Sequence, residues 1–397
     1  LMVSIVGECF VSFLKLSAMK ILMTHNDYGR YSGEEAVVDR LIADFQEMGH
    51  TVEQLRLSSA TSRNTLGRNI RGFFAGIYSF RGVRLMRQKL REFQPDVVHV
   101  HNLYPFISPA ALFECRKSGV RVIMTVHNYR LMCPTGLFLR NGAPCEDCLL
   151  SGCEWGCIRH NCEQSWLRSI GYATRNSVAR ILGAYTKNVD TFCCLTEFQK
   201  RKLLEAGFPE EKLTVLPNYF EGNFAPSATG SYVGYVGRLS SEKGYDLLLE
   251  VARRHPEIAF RFAGDKREDA VVAPLPNVEY AGRLDKDALE LFYREARFIV
   301  IPSRCYEGFP LVIPEAFSHG LPVIGPHHGP FPNLISNGGV TFTPQDTDDL
   351  ERSIVALWGD DERCQQLGTN AHALYQQRYS KKVVLEQWRT FLNSISS

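Results

Sequence analysis

The sequence has 397 residues, more than one compact α/β core usually holds and enough for two. Its 45 Lys and Arg nearly balance 43 Asp and Glu, so no global charge draws the chain to nucleic acid. No uninterrupted apolar run approaches the roughly 20 residues of a membrane span, and twelve cysteines without other marks of a small secreted scaffold make a reducing cytoplasm the expected compartment.

Residues Leu1 to Ala18 are apolar but carry Glu8 and Lys15, with no positive segment ahead of them as a signal peptide requires. They read as an upstream extension before Met19, a membrane-associating helix being the alternative. From Met19 short apolar runs alternate with amphipathic segments, the pattern of a parallel sheet wrapped by helices. Strands are expected at Lys20–Met23, Thr51–Leu55, Asp96–Val100, Val120–Val126, Val189–Leu195 and Leu213–Leu216, with a helix over Glu34–Met48. Pro217 to Gly230 is rich in turn formers and marks a domain boundary. The pattern restarts with strands at Tyr232–Gly237, Ile258–Ala263, Val278–Ala281, Phe298–Pro302 and Pro322–Ile324, and Lys381–Leu392 ends the chain as a helix. Two α/β domains, 19–217 and 218–380, would meet at the carboxyl ends of their strands. No G-x-G-x-x-G follows either opening strand, which argues against a dinucleotide cofactor.

The densest chemistry lies in Ser303 to Ala316, which follows a buried strand and opens a helix that Gly320 would end. Amides around Pro310, Leu311 and Val312, with the helix dipole, would cradle a diphosphate. Glu315, one turn in, can accept hydrogen bonds from two vicinal ribose hydroxyls. Glu307, in the loop before the helix, lies where a sugar on the far side of the phosphates would sit, next to Gly308 and Phe309. Two isolated glutamates at this spacing would ordinarily be a helix cap and a surface residue; the surrounding pattern changes that reading.

Glu307 and Glu315, set in E-G-F-P-L-V-I-P-E-A-F-S-H-G-L-P-V-I, resemble the E-x7-E motif of the family 4, group 1 retaining glycosyltransferases. The resemblance runs from about Met19 to the end of the chain, with Pro310 and Pro314 as departures that remove no functional side chain. It implies a GT-B fold, two Rossmann-like domains with parallel sheets facing across a cleft. It also implies that Glu307 contacts the transferred sugar and Glu315 the ribose. Val236 to Gly244 is similar to the family's G-R-L-x-x-x-K-G loop, in which Arg238 and Lys243 would hold the diphosphate in place of a divalent metal. The DxD look-alike Asp346-Thr347-Asp348 reads instead as a helix start. His127, ending a strand, matches the family histidine that contacts the donor sugar, while His25, His99 and His101 are taken as lining or structural. The family's Gly-Gly pair in the opening loop is Ser32-Gly33 here, and only Gly33 is carried over as a close-approach position. The base would rest on backbone near Gly264 and Arg283. The implied reaction moves a hexose, UDP-glucose being the expected donor, to a glycan or lipid-linked saccharide with retention, in polysaccharide synthesis of the bacterial exopolysaccharide type. The competing readings are another chemistry on this fold, an epimerase or a phosphorylase, and a non-catalytic zinc-bearing interaction protein.

Six cysteines, Cys133, Cys145, Cys148, Cys153, Cys157 and Cys162, crowd one insert. Their spacing is compatible with a structural zinc, on Cys145 and Cys148 completed from Cys153, Cys157, Cys162 or His160 (Cys153 and Cys157 in the simplest assignment), with disulfides, or with packed free thiols. Between Arg63 and Arg91 eight basic residues and no acidic one are interleaved with Phe73, Phe74, Tyr78 and Phe80. This is either a solvated face or a surface for an anionic membrane or lipid diphosphate acceptor.

Overall fold

The computed structural model describes residues 18–27, 32–58, 76–222, 230–267, 270–272 and 274–396. Residues 1–17 of the N-terminal extension and the first part of the basic arm, residues 63–75, lie outside them. Twelve strands form two six-stranded parallel sheets. The first holds β1 (Lys20–Asp27), β2 (Thr51–Ser58), β3 (Val97–Asn102), β4 (Arg121–Val126), β5 (Thr191–Cys194) and β6 (Leu213–Val215), in the order β2-β1-β3-β4-β5-β6. The second holds β7 (Tyr232–Val236), β8 (Phe260–Ala263), β9 (Val278–Gly282), β10 (Ala296–Val300), β11 (Val323–Pro326) and β12 (Gly339–Phe342), in the order β9-β8-β7-β10-β11-β12.

Each sheet is buried on both faces, which is why its strands read as continuous apolar runs rather than as alternation. Every residue of β3 is buried, its two histidines included. On one face of the first sheet Leu22, Val98, Val100, Val122 and Met124 pack under the helices Phe80–Phe93 and Ala111–Ser118. On the other, Ile21, Met23, Val97 and Ile123 meet Val38, Leu41 and Phe45 of the helix Gly33–Glu47. That second layer is completed by the last helix of the chain, Lys381–Ser396, whose Val384, Trp388 and Leu392 are buried in it. The chain thus leaves the second domain and returns to the first. Burial of each of these three side chains is worth about 1.5–3 kcal/mol gross, and Lys381 adds an ion pair to Asp44 at 3.2 Å.

The expected strands are present, with ends shifted by no more than four residues. The strand β12 and a short hairpin, Leu139–Arg140 with Ala143–Pro144, were not anticipated. Gly339 and Thr341 give β12 little apolar signal, and the hairpin is too short to show any period. Chain order reverses at β1 and β3 in the first sheet and at β7 and β10 in the second, and ligands of such sheets bind outside the strand ends at these points.

Candidate active site

A cavity of about 250 Å³ lies at both switch points, lined by Gly33 beyond β1, His127 beyond β4, Gly237 and Lys243 beyond β7, Ile301 beyond β10, and Glu307 and Phe309–Val312. The loop after β7 is pinned by glycine. Gly244 has φ +67°, and a Cβ there would stand 1.9 Å from the Pro302 carbonyl oxygen. Gly264 likewise presses on the Gly237 carbonyl, where a Cβ would lie at 1.9 Å. Only glycine tolerates both the left-handed backbone and the approach at Gly244. The Arg304 guanidinium grips both carboxylate oxygens of Asp246 at 2.6 Å and the Ser241 carbonyl at 2.9 Å.

So held, the loop delivers Lys243 to Glu307: its Nζ lies 2.7 Å from each carboxylate oxygen. Burial pulls the Lys243 ammonium down, but the Glu307 carboxylate outweighs it and keeps its pKa above the ordinary value. An ammonium has three donors. Glu307 takes two, leaving one for an incoming anion. The Glu307 loop is in turn docked on the first domain. A Cβ on Gly308 would stand 2.4 Å from the His127 carbonyl oxygen, and the Tyr129 hydroxyl donates to the Glu307 carbonyl at 2.9 Å.

The helix after this loop is short, Val312–Ser318, with Leu311 as its first flanking residue, so Glu307 does not cap it. Pro310 carries no N–H, which corrects its expected role as an amide donor. It supplies a carbonyl that accepts from Ile313 at 3.0 Å. The amides of Leu311 and Val312 donate to no backbone carbonyl among the described residues. Glu315 lies in the first turn, beyond the residues that line the cavity. The Tyr293 hydroxyl donates to its Oε2 at 2.6 Å, and Tyr293 stacks on His319 at 5.1 Å. Burial raises the Glu315 pKa, against the smaller lowering effects of Tyr293 and Arg40.

Other expected residues fall less centrally. Arg238 is half exposed, outside the cavity lining, with its guanidinium 3.4 Å from Glu242. Gly264 and Arg283 sit at the ends of β8 and β9, where the Gly264 amide donates to the Gly282 carbonyl at 2.7 Å and Arg283 approaches Asp265 at 3.8 Å. Asp346 accepts from the Asp349 amide at 2.9 Å, so the DxD look-alike is a helix N-cap. Tyr129 and Tyr293 were missed; a lone tyrosine carries no spacing signal, and only the fold brings each to its glutamate.

The opening loop ends on the helix Gly33–Glu47, where the Glu35 carboxylate accepts from the Ser32 amide. Among the described residues, His25, Asp27 and Glu35 are the one group of three ligand-bearing side chains close enough to share a cation. Asp27, however, is bound to Arg56 at 2.6 Å. The thiols of Cys145, Cys148, Cys153 and Cys157, expected as zinc ligands, form no such group. No described cysteine is in a disulfide. Cys153 stands apart beside Ser151 at 3.5 Å, whereas a hydrogen bond from Cys157 lowers the pKa of the Cys162 thiol.

The family description "Glycosyl transferases group 1" matches residues 223–374, and "Glycosyltransferase Family 4" matches residues 31–220. The two matches divide the chain between them as its two sheets do, and the chain belongs to the group 1, family 4 glycosyltransferases. It is 30% identical over 275 residues to an uncharacterized 42.6 kDa protein in the cps region of Klebsiella pneumoniae, covering 67% of this chain and 66% of that one. It is 28% identical over 227 residues to an exopolysaccharide phosphotransferase of Streptomyces coelicolor, covering 53% of this chain and 24% of that protein. The chain therefore spans between a quarter and two thirds of the length of these relatives. In fold it is similar to Anabaena HepE in complex with UDP, with a TM-score of 0.66 at 17% identity over 95% of this chain and 100% of that one.

Proposed function

We propose that the chain transfers a hexose from a nucleotide diphosphate sugar to a hydroxyl of a glycan or lipid-linked saccharide, with retention and without a catalytic metal. The observation that carries this reading is the Lys243–Glu307 pair in a cavity that spans the switch points of both sheets. The remaining Lys243 donor and the amides of Leu311 and Val312 suit a diphosphate that gains charge as it leaves, Gly33 lets the opening loop approach it, and Arg238 lies within reach as a second cation. Glu307, Gly308, Phe309 and His127 then surround the sugar, Glu315 holds the ribose, and the backbone at Gly264 and Arg283 holds the base. UDP-glucose is the proposed donor because HepE has been solved with UDP-glucose, and polysaccharide synthesis follows from the cps and exopolysaccharide relatives.

Among the described residues no helix is long and apolar enough to cross a membrane. Exposed Phe80, Trp155, Trp166 and Leu167, with exposed Arg81 and Arg84, support a peripheral contact of the first domain with an anionic membrane at the cytoplasmic face. Flotation with and without anionic lipid tests this part. The transfer itself is tested with UDP-, GDP- and ADP-sugars in a thermal-shift screen, followed by turnover in EDTA and determination of the product anomer. Stabilisation by UDP-glucose, turnover in EDTA and a retained anomer are expected. A strict need for added magnesium or manganese would overturn metal independence.

A further inference from the structure

Four histidines share one face of the first sheet. His25, His99, His101 and His127 occupy β1, β3 and the end of β4 at matching positions of the two-residue strand period. His99 and His101 rings are 4.2 Å apart, and His101 stacks on His127 at 5.1 Å with planes inclined by 26°. His101 Nδ1 lies 2.8 Å from His127 Nε2. The other nitrogen of His101, Nε2, is buried without a hydrogen-bond partner. The other nitrogen of His127, Nδ1, makes no hydrogen bond among the described residues, and the ring lines the cavity.

Burial without a countercharge keeps both rings neutral, so each carries one proton. Two arrangements satisfy the shared hydrogen bond. If His127 donated from Nε2, His101 would have to carry its proton on Nε2, an enclosed N–H with no acceptor. If His101 donates from Nδ1, its Nε2 is a bare lone pair, and buried acceptors go unsatisfied more readily than donors. His127 must then hold its own proton on Nδ1.

We propose that His101 is a positioning residue: it donates Nδ1–H to His127 Nε2 and so fixes His127 as the Nδ1–H tautomer, with that donor directed into the sugar end of the cavity. This rests on the reading that His127 faces the transferred sugar. A fixed donor there selects a hydroxyl oxygen as its partner, and the packed His99 ring keeps His101 from turning away. His99 is itself anchored, its Nε2 being 2.8 Å from Thr125 Oγ1.

Asn and Gln separate this role from packing, because an asparagine amide falls at the Nδ1 position and a glutamine amide at the Nε2 position. His101→Asn should keep kcat within about threefold of wild type, and His101→Gln should lower it about tenfold or more with UDP affinity unchanged. Equal turnover in the two variants would overturn the proposal. Imidazole ¹⁵N NMR of the wild-type protein reads the tautomer without turnover: His127 is expected as Nδ1–H alone, and an Nε2–H form or a mixture contradicts the assignment. Normal transfer by His127→Ala would instead remove the functional reading while leaving the tautomer result standing, so the two failures are distinguishable.

Discussion

On the C-terminal wall of the cleft a lysine and a glutamate face each other 2.7 Å apart, whereas the N-terminal wall opposite presents His127 backed by three more histidines, all neutral. The charged wall is built on glycine-pinned loops at the ends of β7 and β10. The neutral wall is built on the strands themselves and is sealed beneath by Trp388 of the returning helix, 5.3 Å from His99. On the proposed transfer the difference gives each wall a task. The Lys243 ammonium, held by Glu307, suits a diphosphate whose charge grows as it leaves, and the uncharged, rigid His127 suits a sugar whose hydroxyls carry no charge.

The largest effect is expected at the charged wall. Glu307→Gln should lower kcat about 100-fold or more while leaving donor KM within a few-fold. Lys243→Met should cost a similar factor in kcat/KM. The double variant should lose much less than the product of the two, because each single change leaves the other charge without its partner. Full additivity in steady-state kinetics would show that the pair does not act as a unit.

The neutral wall should show in stability rather than in charge. Burial lowers His25 to about 4 and His99 and His127 to about 3. Between those values and about 6.5 the unfolded chain binds protons that the folded chain refuses, so stability present above 6.5 is lost as pH falls. Thermal unfolding should move down by several degrees from pH 7 to pH 5, and His99→Leu should flatten that slope whatever it does to stability at pH 7. An unchanged slope would break the contrast between the walls.

The two walls were also unequally legible. The E-x7-E spacing and the G-R-L loop are local in sequence, so Glu307, Glu315 and Lys243 could be placed before any fold was known. The histidine stack could not, because it depends on the register of three strands that are far apart in the chain: Met23 pairs with His99, and His99 with Ile123. Alternation along V-V-H-V-H-N would have put His99 and His101 on one face, but not against His127. Pro310 shows a different limit, a motif position read as an amide although its residue type has none. The cysteine insert shows a third, since CxxC spacing alone does not say whether further thiols converge.

The smallest effect is expected in that insert. Replacing Cys145 and Cys148 together by Ser should lower the melting temperature by a few degrees through lost packing, with donor affinity of the folded protein nearly unchanged. Loss of turnover at full stability would place the insert in the active site.

The division of labour between Glu315 and Glu307 is tested most directly by calorimetry of UDP, a ligand that has the ribose and the diphosphate but no sugar. Glu315→Gln should weaken UDP binding about tenfold, because it reduces the charged acceptor that the proposed site offers the ribose. Glu307→Gln should not weaken it, since that carboxylate serves the absent sugar and its removal frees Lys243 for the phosphates. Equal losses in the two variants, or a larger loss at Glu307, would contradict the site as drawn.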